Sequence, residues 1–161
     1  MPNQVISNTS PLFYLHRLRH LHLLQKLYQR IIVPEAVVNE ITAGRDQGED
    51  TPDMTNYDWI EVQSVRVPQL IRLITDLGAG EAEVLALALE EPGRLVILDD
   101  RLAREVAKLQ NIRITGTAGV LLKAKQEGHI SAVAPLLDQL NHLGFRLREV
   151  VRTSILCLAQ E

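Results

Sequence analysis

One cysteine, Cys157, stands in 161 residues. That excludes a disulfide framework and a cysteine-based zinc site, and makes a reducing compartment the expected setting. Aromatic residues make up only 4 % of the chain, so Leu, Val, Ile and Ala must pack the core. No apolar run approaches the ~18 residues that a membrane span needs. No basic n-region followed by an apolar stretch opens the chain, and a cytoplasmic protein is the expectation. Charge of one sign is not in large excess: the formal net charge is −3. This argues against a general nucleic-acid or membrane adhesive while leaving room for a local basic groove. A Walker-type glycine-rich loop is missing too, and "GAG" at Gly78–Gly80 leads into Glu81, whose charge would repel a phosphate. Ser7 and Ser10 lack the nucleophile-elbow context of a catalytic serine. Asn8-Thr9-Ser10 has the spacing of a glycosylation acceptor, but no secretory signal accompanies it.

What is present is an alternation of short apolar runs and amphipathic segments. "QVISNTSPL" opens it: Val5-Ile6 end a strand, three small polar side chains follow, and Pro11 suits the first turn of a helix with Ser10 as its N-cap. Leucines from Leu12 to Leu27 recur at helical spacing, as one helix or two short ones. "RIIVP" reads as a second strand and "PEAVVNEITAG" as a helix that Gly44 can close. Arg45 to Asp58 reads as a polar loop, "WIEVQSV" as a third strand, and Pro68 to about Leu77 as a helix. "EAEVLALALEE" is helical, "RLVILDD" is the clearest buried strand, and "IRITG" is a short last strand before the helix "TAGVLLKAKQEG". Helical stretches at 132–143 and 147–159 complete the chain. Strands that are continuous apolar runs, separated by helices, indicate an α/β three-layer sandwich with a central parallel sheet flanked by helices. With no repeat or long linker, one domain is expected.

In such a sheet, ligands gather outside the carboxyl ends of the strands. Those positions carry Asn8, Thr9 and Ser10 after the first strand, Asp99 and Asp100 after "LVIL", and Thr115, Gly116 and Thr117 after the last. Glu40 and the pair Glu81/Glu83 can reach the same edge from helices. Oxygen donors of this kind suit a hard cation such as Mg²⁺ or Mn²⁺, which relieves repulsion between carboxylates and serves phosphodiester hydrolysis. Each acid also has a structural reading. Asp99 or Asp100 could cap the helix that follows, and Glu81 stands where a helix dipole favours a carboxylate. His16, His20 and His22 share one helical segment without an accompanying acid, and read as a solvated or lid-facing stripe.

With these residues assembled, the chain resembles the PIN-domain family, in the VapC-like ribonuclease toxin fold and an uncharacterised prokaryotic branch of it. The resembling pieces are "VISNTSPL", "VPEAVVNEI", "LGAGEAEVLALALE", "LVILDDRLAREVA" and "ITGTAGVLLKAK", in this order from Val5 to about Leu122. The resemblance implies a single PIN-like domain over residues 1–161 and a divalent-metal-dependent ribonuclease, the toxin of a toxin–antitoxin pair. It implies Mg²⁺ or Mn²⁺ as cofactor, an RNA substrate, an antitoxin protein as partner and a homodimer. The family's first acid falls on Asn8, with Ser10 as its hydroxyl partner; the second falls on Glu40; the third on Glu81, or Glu83; the fourth on Asp100 or Asp99. Thr117 would lie by the cleft, and Arg101, Arg104 and Lys123 are candidates for phosphate contacts. An amide at the first position can still ligate a cation, but it adds no charge and accepts no proton from water. The corresponding alternative is a catalytically weakened PIN-like protein that binds RNA or a protein partner without cleaving. A phosphotransfer domain using Asp99 or Asp100 as nucleophile is a third reading, which predicts an aspartyl-phosphate.

Overall fold

The structure, a computed structural model, describes residues 4–161; the first three residues of the expected domain lie outside the described ones. Among the described residues five strands form one all-parallel sheet: β1 (Val5–Ser7), β2 (Ile31–Pro34), β3 (Ile60–Gln63), β4 (Leu95–Ile97) and β5 (Arg113–Thr115). Their spatial order is β3-β2-β1-β4-β5. The register aligns Ile6 with Ile32 on one side and with Val96 on the other. β1, β2 and most of β4 are buried because helices cover both faces, which is why they read as unbroken apolar runs rather than alternating ones. β3 is an edge strand, and its polar Glu61 and Gln63 reflect that.

Among the described residues the helices are α1 (Thr9–Arg17), α2 (His22–Tyr28), α3 (Glu35–Asp46), α4 (Gln69–Arg72), α5 (Ala79–Glu90), α6 (Arg101–Leu109), α7 (Thr117–Gln126), α8 (Ala134–His142) and α9 (Glu149–Leu158). α5 packs against α3, α4 and α6, while α7 packs against α1, α2 and α9. Val84 to Ala88 are all buried, so α5 is apolar around its whole circumference and runs through the core. The leucine-rich first helical region is two helices. The chain turns between them at Arg19, which adopts a left-handed φ of 63°.

Several boundaries differ from the sequence reading. α1 begins at Thr9, with Asn8 in the N-cap position, so Pro11 is the third helical residue and Ser10 is not the cap. α3 passes through Gly44 to Asp46. The polar loop after it holds a short 3₁₀ turn at Met54–Asn56, capped by the Asp53 carboxylate accepting from the Thr55 N–H. The expected helix from Pro68 to Leu77 is a single turn, Gln69–Arg72.

Candidate active site

The chain builds outward from β1 in both directions, to β2 and β3 on one side and to β4 and β5 on the other. The strand order therefore reverses beside β1, and the crevice at the carboxyl ends there is where such sheets bind ligands. Backbone hydrogen bonds hold the three relevant loops together. The Asn8 N–H donates to the Ile97 carbonyl at 3.1 Å, and the Leu98 N–H donates to the Thr115 carbonyl at 2.8 Å.

Asp99 is the focus of one half of the site. Its carboxylate accepts from the Ser10 hydroxyl at 3.0 Å, the Thr117 hydroxyl at 2.6 Å and the Thr117 N–H at 2.8 Å. Residues from the ends of β1 and β5 thus fix a side chain at the end of β4. Gly116 allows this: a Cβ there would lie 2.9 Å from Asp99 Oδ1. Asp100 turns elsewhere, accepting from the Ala103 N–H at 2.9 Å as the N-cap of α6. The doubled aspartate divides its work between the cleft and the helix cap.

The glutamates form the other half. Glu81 Oε1 accepts from the Asn8 side-chain amide at 3.4 Å. Glu40 accepts from the Thr9 hydroxyl through one oxygen and from the Gly80 N–H, at 3.0 Å, through the other. A Cβ on Gly80 would come within 2.8 Å of Glu40, so the glycines before Glu81 make room for carboxylates rather than for a phosphate. Glu83 leaves the cleft and accepts from the Ala36 N–H at 2.7 Å, capping the first turn of α3 from a neighbouring helix.

Asn8 meets Glu81 through its side chain and the end of β4 through its backbone. It is only 2 % exposed, and its carbonyl oxygen Oδ1 is buried without a hydrogen-bond partner. Chemistry sets the amide's orientation, because only the NH₂ can face the Glu81 carboxylate. An unsatisfied buried acceptor costs roughly 1–3 kcal/mol, and a cation or a water would remove that cost. Among the described residues, no three acidic, histidine or cysteine side chains form a group that holds an ion by itself. In donor chemistry, the carboxylates of Glu81 and Asp99 and the neutral Asn8 carbonyl are oxygen ligands of the kind a hard cation of the Mg²⁺ type takes, one or two carboxylates with water filling the shell.

A cleft of about 760 Å³ adjoins Asp99, between α6 and the segment joining α8 to α9. Arg101 and Arg104 line it as the sequence suggested, and Arg104 also donates to the Leu98 carbonyl at 2.7 Å. Lys123 is elsewhere, its ammonium 4.7 Å from the centre of the Tyr28 ring. Sequence reasoning passed over Lys108, Arg146 and Arg148, which also line this cleft. The alternation in "FRLREV" was the available signal for the last two. His16 does have an acidic partner, Asp50 at 3.0 Å, supplied by the loop after α3; His20 instead stacks against His22.

A parallel α/β sheet with oxygen-bearing side chains at its topological switch point defines a class of ligand-binding and hydrolytic domains. Within it, the chain belongs to the PIN-domain family: the family model, described as a PIN domain, matches residues 4–161. PIN domains are generally divalent-metal-dependent nucleases, which supports a ribonuclease-type function and RNA binding. No curated protein matches the chain. Among the described residues, no helix is long and apolar enough to cross a membrane.

Proposed function

We propose that this protein is a divalent-metal-dependent endoribonuclease, with Mg²⁺ or Mn²⁺ bound where β1 and β4 end. The observation that carries the reading is the buried, partnerless carbonyl of Asn8 beside Glu81, in a family of nucleases. Glu81 and Asp99 supply the anionic donors and Asn8 a neutral one. Glu40 positions the start of α1 and α5 through Thr9 and Gly80. Ser10 and Thr117 keep Asp99 oriented, and Asp100 acts through the helix it caps. When bound, the ion supplies Lewis-acid stabilisation of phosphate charge and a more acidic water. Arg104, tied to the Leu98 carbonyl next to Asp99, offers a fixed cation to the substrate phosphate.

The test is cleavage of an unstructured RNA with Mn²⁺, by wild type and by Glu81→Gln. Cleavage by the wild type that the variant loses supports the reading; no cleavage by well-folded wild type rejects it. A second reading, RNA or protein binding without cleavage, is favoured by the amide at position 8 and by the engagement of both Glu40 oxygens. It predicts RNA binding with no metal-dependent products. The proposal extends to a cytoplasmic toxin of a toxin–antitoxin pair on the resemblance alone. It extends to a homodimer on the resemblance and on the exposed Val150 and Leu158 of α9.

A further inference from the structure

The chain has more acids than bases, 20 against 17, yet the cleft beside Asp99 is cationic. Of its seven charged lining residues, five are basic: Arg101, Arg104 and Lys108 from α6, and Arg146 and Arg148 from the α8–α9 connector. Among the described residues, no ion pair or side-chain hydrogen bond engages Lys108, Arg146 or Arg148. Arg101 has only Glu105, at 3.3 Å. Like charges lining one recess repel, and that repulsion is relieved by a polyanion.

The recess is anchored to the acidic centre. Gly116 stands between the two: a Cβ there would lie 2.9 Å from Asp99 Oδ1 and 3.2 Å from Arg104 Nη1. Lys108 stands about one turn beyond Arg104 on α6, and Arg146 and Arg148 line the same recess from the connector, so the cations gather on the α6 side of Asp99. Phe145 adds an aromatic wall, held edge-to-face against Tyr14 at 5.0 Å.

We infer that this cleft is the channel for a single-stranded RNA backbone, which leads away from Asp99 on one side of the scissile bond. The choice of RNA rests on the ribonuclease reading above; the charge and the one-sidedness rest on the cleft. Cations neutralise successive phosphates, and Phe145 stacks an unpaired base, which a duplex does not offer.

The experiment measures binding of a labelled, unstructured RNA of about 12 nucleotides by fluorescence anisotropy, within the site sizes usual for single strands. It is done in EDTA, so binding is read without cleavage. Five phosphate contacts at about 0.7 each give a slope of log K against log salt near −3.5. The triple variant Lys108→Gln/Arg146→Gln/Arg148→Gln removes three contacts, and its slope should fall to about −1.4 with at least about tenfold weaker binding at low salt. All three side chains are exposed, so thermal stability should not change. A control triple at the opposite sheet edge, Arg30→Gln/Arg66→Gln/Arg72→Gln, should keep the wild-type slope. Unchanged affinity and slope in the first triple would overturn the inference. So would equal binding of duplex RNA, or competition by poly-glutamate as effective as that by RNA, which would assign the cleft to an acidic protein. Cleavage separates the two claims. Channel binding without Mn²⁺-dependent products rejects only the ribonuclease reading, whereas full cleavage and binding by the triple rejects only the channel.

Discussion

Replacing Asn8 with Asp probes the centre at its most constrained point. The change removes the amide donor and puts a second carboxylate about as far from Glu81 Oε1 as the present 3.4 Å, at a position 2 % exposed. With an effective dielectric constant of about 20, two unit charges at that separation repel by about 5 kcal/mol. Proton uptake limits the penalty. Neutralising a carboxyl of ordinary pKa at pH 7 costs about 4 kcal/mol, so roughly 4 is the ceiling. In a chain of this size about 1 kcal/mol moves Tm by about 2–4 °C, and Asn8→Asp should melt up to roughly 8–16 °C below wild type at pH 7 in EDTA. The pKa of the carboxyl pair is raised in the folded state. The deficit is therefore complete above that raised value and fades as pH falls through it toward about 4. Mn²⁺ should reverse the deficit at neutral pH, since an ion at about 1,000 times its Kd contributes about 4 kcal/mol. Scanning calorimetry of both proteins at several pH values, with and without Mn²⁺, measures all of this. A variant as stable as wild type at pH 7 in EDTA, or one that Mn²⁺ stabilises no more than wild type, would contradict a metal centre at Asn8 and Glu81.

The two aspartates should separate cleanly. Asp99→Ala removes the acceptor for three hydrogen bonds and should cost about 2–3 kcal/mol in denaturant unfolding together with Mn²⁺ binding. Asp100→Ala should cost about 1 kcal/mol, a lost N-cap, and leave Mn²⁺ binding intact. The Val133 and Ala134 N–H groups and Lys125 hold the Glu161 carboxyl below its usual pKa. Its contribution to stability is therefore present above the ordinary carboxylate range and is lost as pH falls through the lowered value; Glu161→Gln should flatten the acid limb of the urea midpoint from that range downward. Light scattering at micromolar concentration should give two chains for the wild type and one for Val150→Glu/Leu158→Glu, and a monomeric wild type would remove the dimer.

The sheet was legible because it is parallel and buried on both faces, so β1, β2 and β4 stand out as apolar runs between helices. Strand order was not, since crossovers set it and no local pattern records it. The choice between Glu81 and Glu83 could not be read from spacing: two residues on a helix lie about 200° apart around its axis, so both cannot face one cleft, and packing decides which does. In the fold Glu81 meets Asn8 while Glu83 reaches Ala36. Asp99 and Asp100 pose the same problem across one peptide bond. In the sequence Ser10 reads as a helix cap because it precedes a proline. The helix starts earlier, and this frees the hydroxyl for Asp99. The basic cleft is not legible in the sequence because α6 and the α8–α9 connector meet only through tertiary packing.

In the proposed centre, Glu81, Asp99 and the Asn8 carbonyl hold a divalent ion while Glu83 serves only α3. Calorimetric titration of Mn²⁺ into wild type, Glu81→Gln and Glu83→Gln tests it most directly. Binding by the wild type and by Glu83→Gln, with none by Glu81→Gln, is the predicted result. Equal binding by Glu81→Gln and the wild type, or loss of binding in Glu83→Gln alone, would contradict it.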